Sequence, residues 1–294
     1  PKFSIPKEKL FPLIDEIDEM KVHELTIRGG EATQHPDFEE IWNYASNKEF
    51  LTANILTNGS MFTTPKVREM LKNSRSKIVV SLDGFQEINS LYRNPGQFDG
   101  VLKWLKPALQ EMPNQVTLLS VLYRQNYTKI PEFARYMANM GLRFFHMSPL
   151  KRLGRSEIAE ENFVSYDEIN GLQKNLETIT EDFPEFKPTI SCISLEKFKE
   201  NRTTAIPVPL FNEIHYGTGV KITPEGKIMA NRGIMFTDRF KDSYLEKACL
   251  DPLGSIYDKK TFKETWKDSL ELRIAQGKIA DKHYQYYLGW LKTL

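Results

Sequence analysis

The chain has 294 residues, with 40 lysines and arginines against 39 aspartates and glutamates. The net charge of +1 gives no general attraction to nucleic acid or an anionic membrane, and two cysteines cannot build a disulfide framework. No apolar run is long enough to span a bilayer, and the start Pro1–Ser4 does not resemble a signal peptide. We therefore expect a soluble cytoplasmic protein without nucleic-acid or membrane partners.

The first half of the sequence alternates β-branched apolar runs with helix-like stretches, which is typical of a parallel sheet covered by helices. A first helix is predicted over residues 6–20. Five strands follow, over residues 24–28, 51–56, 77–82, 115–123 and 142–147. The helices predicted between them cover residues 36–47, 64–71, 98–111 and 131–140. Each strand leads into a loop that holds polar residues or glycines.

The second half has a different pattern. Residues 156–205 are acidic and helical in periodicity, and four prolines follow or interrupt them. Residues 220–229 alternate around Pro224-Glu225-Gly226, which predicts a small hairpin, and an amphipathic region covers residues 261–294. We therefore divide the chain into residues 1–155, a helical linker over 156–205, and a C-terminal domain over 206–294.

Ligands of parallel α/β folds bind beyond the carboxyl ends of the strands, so the loops there are the candidate site. Four are distinctive: Gly29-Gly30-Glu31, Thr57-Asn58-Gly59, Ser81-Leu82-Asp83-Gly84, and Arg93 within Leu91–Phe98. Paired glycines let a backbone approach a ligand, and a carboxylate beside them can accept from an ammonium group. A hydroxyl and a carboxylate two residues apart could bind a diol, and a guanidinium suits a carboxylate. Taken singly, each also has an ordinary interpretation: a tight turn for the two glycine loops, a plain strand end for Ser81 to Gly84, and a surface charge for Arg93.

In this order and at these separations, the four loops together closely resemble the radical S-adenosylmethionine (SAM) superfamily, over roughly residues 8–155. The resemblance implies a partial (β/α)6 TIM-like barrel whose first strand is missing from this chain. It also implies that the Gly29-Gly30-Glu31 loop binds the methionine amino group of SAM. The further cofactor contacts that it implies come from Asn58, Ser81, Asp83, Arg93 and the strand ending near Met147. Ser81 and Asp83 would face the ribose and methionyl portions, Arg93 the carboxylate, and the strand near Met147 the adenine.

The Cys-x-x-x-Cys-x-x-Cys loop that holds the family's [4Fe-4S] cluster would lie before the residue 6–20 helix and is not in this chain. We therefore expect no metal ligands here and the cluster ligands upstream of residue 1. Two explanations stay open, a longer native protein and a paralogue that has lost the loop. Cys192 and Cys249 are expected to be ordinary buried thiols.

Residues 215–266 resemble the SPASM or twitch extension of peptide-modifying radical SAM enzymes, a small α+β domain. Gly226 is in register with that pattern, but Tyr216 and Asn231 stand where two cluster thiolates would be. We therefore expect the hairpin scaffold to be kept and the auxiliary clusters to be absent.

These resemblances imply a radical SAM enzyme that reductively cleaves SAM to a 5′-deoxyadenosyl radical and modifies a peptide or protein. Its electron donor would be a protein such as flavodoxin or ferredoxin. The alternative is a cluster-free barrel that binds a peptide or a partner without catalysis. A phosphate-binding loop and a dinucleotide fingerprint are both excluded, because the glycines that they require are missing.

Overall fold

The structure is a computed structural model that describes residues 4–49, 51–73, 75–150, 160–191, 220–230 and 252–269. Its strands are β1 Glu24–Ile27, β2 Thr52–Thr57, β3 Lys77–Ser81, β4 Val116–Leu122, β5 Phe144–Pro149, β6 Lys187–Ile190, β7 Val220–Ile222, β8 Lys227–Ala230 and β9 Gly254–Ser255. Its α-helices are α1 Lys7–Glu19, α2 Phe38–Ser46, α3 Thr64–Met70, α4 Gln86–Asn89, α5 Gln97–Glu111, α6 Ile130–Asn139, α7 Tyr166–Asp182 and α8 Phe262–Asp268. The chain separates into two compact units, of which one comprises residues 21–150 and 159–192.

That unit is built on a six-stranded sheet in the order β1-β2-β3-β4-β5-β6. Every neighbouring pair is parallel. Because helices connect successive parallel strands, the carboxyl ends of all six strands lie at one edge of the sheet. This is the α/β arrangement of a partial barrel, and it confirms the predicted fold class.

One prediction about the strands was incomplete, because the sheet has a sixth strand. β6 lies inside the range that the sequence pattern assigned to a helical linker, and it pairs with β5 from Phe144↔Lys187 to Met147↔Ile190. It contains Pro188, which argues against a strand in a sequence reading. Among the described strands β6 lies at the end of the six-strand order and pairs on one side only, and an edge strand tolerates proline.

The two faces of the sheet differ because side chains alternate along a strand. On the helix-covered face, Ile55, Val80, Leu118 and Phe145 are at most 1% exposed. Phe145 packs against Phe133 of α6, with ring centroids 6.0 Å apart. The opposite face, which we call the open face, carries half-buried side chains at Leu56, Val79, Thr117 and Leu119. Within the described part of the chain, these four side chains are thus less completely covered than their neighbours on the helix-covered face.

The second unit comprises residues 1–20, 151–158 and 193–294, of which the structure describes α1, β7 to β9 and α8. β7 and β8 form the predicted antiparallel hairpin, and β9 adds a third strand. Gly226 in the turn has φ +78°, and a Cβ there would lie 2.5 Å from the ring of Tyr257, so only glycine fits. α8 carries a capping box between Thr261 and Glu264. The part of the C-terminal amphipathic prediction beyond residue 269 lies outside the described residues.

None of the helices in the described part of the chain combines the length and the apolar character needed to cross a membrane.

Candidate functional site

The carboxylate of Glu31 is the centre of the candidate site and joins the loops after β1 and β2. Oε1 accepts hydrogen bonds from the Thr33 hydroxyl (2.8 Å) and the Thr57 hydroxyl (2.7 Å). Oε2 accepts from the backbone N–H of Asn58 (2.8 Å). The predicted residues Glu31 and Asn58 are therefore in direct contact. A carboxylate held on both sides in this way is fixed in position before any ligand arrives.

Neither the backbone conformation nor the packing of the described residues requires glycine at the two positions before Glu31. Gly29 and Gly30 are exposed, their φ angles lie outside the left-handed region, and a Cβ at either position would meet no heavy atom within 4 Å. Gly59, in the next loop, is the opposite case, because its φ is +73° and a Cβ would lie 2.9 Å from Trp104. No atom of the described residues fills the space beside Gly29 and Gly30.

A second pair of predicted residues, Asp83 and Arg93, forms a two-point ion pair. Arg93 donates from Nε to Asp83 Oδ2 (2.6 Å) and from Nη2 to Oδ1 (3.0 Å). Oδ1 also accepts from the backbone N–H of Val121 (2.8 Å), and Asp83 is only 2% exposed. Both oxygens of Asp83 are therefore occupied. Within the described part of the chain Nη1 of Arg93 has no hydrogen-bond partner, and the guanidinium is partly exposed.

The phenol of Tyr123 lies next to this ion pair. Burial, followed by the charge of Asp83, raises the pKa of Tyr123 well above its usual value. Its hydroxyl donates to the Ile88 carbonyl (3.4 Å), and its ring packs edge-on against Tyr92, with centroids 4.4 Å apart. The hydroxyl therefore stays protonated at neutral pH and adds no charge to the site.

Ser81 and Asn58 are brought together by a residue that the sequence analysis did not single out, Gln97. Its Nε2 donates to the Asn58 carbonyl (2.6 Å) and the Ser81 carbonyl (3.0 Å). Its Oε1 accepts from the Asn89 side chain (3.4 Å), whose own Oδ1 accepts from the backbone N–H of Asp83 (2.9 Å). Gln97 and Asn89 thus connect the loops after β2 and β3.

Asn126 plays the corresponding part for the loop after β4. Its side-chain amide donates to the carbonyls of Asp83 (2.9 Å) and Val121 (2.7 Å), and its Oδ1 accepts from the N–H of Tyr123 (2.9 Å). Asn126 is completely buried. No local sequence pattern marks Asn126, Gln97 or Asn89, because these amides act through hydrogen bonds to other segments of the chain.

Met147 stands apart from the other predicted residues. Its side chain is completely buried, and it shares the helix-covered face with Phe145. The alternating neighbour His146 lies on the open face, 2.9 Å from the Thr189 hydroxyl through Nδ1. The Met147 carbonyl accepts from the N–H of Ser191 (2.9 Å). A contact between residue 147 and a ligand would have to come from the main chain.

Within the described residues, no group of three or more histidines, cysteines and carboxylates could hold a metal ion. Cys192, Cys249, Tyr216 and Asn231 lie outside the described residues, so the expectations about them remain predictions. The described residues therefore offer no ligand set for an iron–sulfur cluster.

The sequence model of one family, described as the Radical SAM superfamily, matches residues 1–137. This match covers just under half of the chain and confirms the resemblance seen in the four loops.

Two curated relatives are similar to less than half of this chain. Mycofactocin maturase MftC of Mycobacterium tuberculosis is 30% identical over 143 residues, which is 48% of this chain and 36% of the relative. Fe-coproporphyrin III synthase of Methanosarcina barkeri is 32% identical over 120 residues, 40% of this chain and 30% of the relative. The matched stretch thus spans about a third of each relative's length.

Among solved structures, Streptococcus suis SuiB bound to S-adenosylmethionine superposes with a TM-score of 0.65 at 17% identity, over 94% of this chain and 64% of SuiB. SuiB bound to its precursor peptide SuiA gives 0.61 at 16% identity, over 89% of this chain and 58% of SuiB. At these identities the likeness shows the fold.

Proposed function

We propose that this chain is the SAM-binding part of a radical SAM enzyme that modifies a peptide or protein. The observation that carries the proposal is the Glu31 carboxylate, fixed by the loops after β1 and β2 beside the unused space at Gly29 and Gly30. A fixed acceptor next to an approachable backbone suits the ammonium group of a methionyl ligand.

The other residues complete a site for the remaining groups of SAM. Arg93 is held by Asp83 and keeps Nη1 for the methionyl carboxylate, so Asp83 acts by orienting Arg93. Ser81, at the end of β3 on the open face, offers a hydroxyl toward the ribose. Asn58 holds Glu31, and the main chain near Met147 lies on the adenine side. These roles fix the ligand's orientation before reaction, which is the contribution that proteins make to cofactor chemistry.

When bound, a reduced [4Fe-4S] cluster supplies the electron that cleaves SAM. Its ligands are not among the described residues, so no step of the proposal is assigned to them. The chain's own residues bind and orient SAM and line the place where a substrate would meet it.

A peptide or protein substrate is proposed because of a structurally similar protein and of the C-terminal hairpin. SuiB has the same fold and was solved with a precursor peptide, and the hairpin at β7 and β8 follows the SPASM-like pattern. The chain also matches Fe-coproporphyrin III synthase, whose name does not describe a peptide maturase. The class of substrate is therefore proposed separately from SAM binding. A protein electron donor such as flavodoxin or ferredoxin, and a cytoplasmic location, belong to the same proposal.

Two measurements test the proposal in order. Isothermal calorimetry of this chain with SAM should give saturable binding, and binding of adenosine alone should be much weaker. The full-length gene product, reconstituted anaerobically and reduced with dithionite, should then release 5′-deoxyadenosine from SAM. Absence of SAM binding in both proteins would refute the proposal. Binding without cleavage, in a full-length protein that takes up no iron, would favour the non-catalytic barrel.

A further inference from the structure

We infer that Gln97 is a positioning residue of the SAM site, which holds the loop after β2 and the end of β3 at a fixed separation. The inference rests on the proposed function, because it concerns the affinity of that site for SAM. Gln97 touches none of the groups assigned to the ligand. It acts through Asn58 and Ser81, whose carbonyl oxygens both accept hydrogen bonds from Gln97 Nε2.

The geometry makes the amide group, rather than the size of the side chain, the important feature. Gln97 is the first residue of α5, follows Gly96 at φ +79°, and is 6% exposed. Both hydrogen bonds from Nε2 end on main-chain carbonyls of two different strand ends. Without the amide, the partly or fully buried carbonyls would lose a partner that water cannot easily replace, which destabilises this arrangement of the loops.

A single residue, Asn58 or Ser81, links Gln97 to each part of the proposed ligand site. The Asn58 carbonyl that receives Gln97 belongs to the residue whose N–H donates to Glu31. The Ser81 carbonyl belongs to the residue whose hydroxyl is assigned to the ribose. Asn89 extends the same chain of amides to the N–H of Asp83, the partner of Arg93. Gln97 therefore relates the amino-group end of the site to the ribose and carboxylate end.

The chain contains a matched control in Gln115. Its Nε2 also donates to main-chain carbonyls, those of Leu71 (2.9 Å), Asn73 (2.8 Å) and Ser76 (2.9 Å). Gln115 directly precedes β4, so its hydrogen bonds lie at the amino ends of the strands, away from the carboxyl ends that carry the candidate site. A change there should affect stability in the same way without reaching the SAM site.

The experiment compares Gln97→Met and Gln115→Met, which keep the approximate volume and remove the amide. SAM affinity is measured by calorimetry, and hydrogen exchange is followed by mass spectrometry in peptides covering residues 57–62. We expect Gln97→Met to weaken SAM binding by about tenfold and to speed exchange in that segment. Gln115→Met should leave both at the wild-type values.

Gln97→Asn keeps the amide but shortens its reach, so its SAM affinity should fall between those of wild type and Gln97→Met. This variant replaces Gln97→Met in the experiment if the methionine variant does not fold. Equal SAM affinity in wild type and all folded Gln97 variants would overturn the inference while leaving the proposed function intact. Equal weakening by Gln115→Met would show that the effect is general destabilisation. Failure of the wild-type chain to bind SAM would instead refute the proposed function, and the inference with it.

Discussion

Arg93 grips Asp83 through two parallel hydrogen bonds, Nε to Oδ2 at 2.6 Å and Nη2 to Oδ1 at 3.0 Å. Arg93 follows Asp83 by ten positions in the sequence, and the loop between them includes α4. Fork-like pairing of this kind fixes both the distance and the plane of the guanidinium. The pair therefore determines where Arg93 can present its remaining nitrogen.

Replacing Arg93 with Gln should destabilise the fold, because it leaves a buried carboxylate without its cation. Breaking a buried ion pair by removing one partner commonly costs about 3 to 5 kcal/mol, and we expect about 2 to 3 here since Arg93 is partly exposed. Urea denaturation measures the change. Arg135→Gln is the control, because Arg135 pairs with Asp182 on the surface and should cost less than about 1 kcal/mol. Equal losses in the two variants would contradict the buried role of Asp83.

Glu31→Gln should lower SAM affinity by at least about tenfold, because a neutral amide cannot accept at both ends. One end of the amide would place N–H groups against the Thr57 hydroxyl or the Asn58 N–H, which now donate to Glu31. Calorimetry with SAM measures the loss. Glu69→Gln, on the exposed surface of α3, changes the net charge equally and should bind SAM as wild type does. Unchanged affinity in Glu31→Gln would show that the ammonium site is elsewhere.

Gly30→Ala should separate ligand binding from folding. A Cβ at Gly30 meets nothing within 4 Å, and φ is not left-handed, so the melting temperature should stay close to that of wild type. SAM affinity should fall, because the added methyl occupies the space proposed for the ligand. Gly59→Ala is the converse case and should lower stability, since φ is +73° and Trp104 lies 2.9 Å from the added atom. Wild-type SAM affinity in Gly30→Ala would argue against a ligand in that space.

The sequence allowed prediction of which loops form the candidate site, because the carboxyl ends of parallel strands share one edge. It could not indicate which side chains in those loops contact one another. Asp83 and Arg93 were both selected as ligand contacts, whereas the structure pairs them. Gln97 and Asn89 escaped notice because a buried amide acts through long-range main-chain contacts, which leave no local pattern in the sequence.

Two other differences have simple physical origins. The resemblance pointed to the strand ending near Met147 as the adenine contact, and the two-residue alternation of β5 places the Met147 side chain on the helix-covered face and His146 on the open face. Strand β6 was missed because it is four residues long and contains Pro188. Its position at the end of the strand order, which sequence periodicity does not reveal, is what allows a proline there.

The N-terminus of α7 provides a prediction about pH. Burial alone would raise the pKa of Glu168, but hydrogen bonds from the Ser165 N–H, the Tyr127 and Ser165 hydroxyls and Arg124 outweigh it and lower the pKa to about 2. The folded-state pKa is thus below the ordinary value of 4.5. Ionised Glu168 therefore stabilises the fold above about pH 4.5, and this contribution is lost as the pH falls toward 2.

Glu168→Gln should accordingly lower the free energy of unfolding by about 1 kcal/mol at pH 7. The difference from wild type should shrink between pH 4.5 and pH 2, and chemical denaturation at several pH values measures it. Glu264→Gln is the matched control, because Glu264 closes the same capping box on α8 with Thr261 and lacks hydrogen bonds from an arginine and a tyrosine within the described residues. Its effect should be smaller. A loss for Glu168→Gln that stays constant from pH 7 to pH 2 would mean that the charge of Glu168 does not stabilise the junction between β4 and α7.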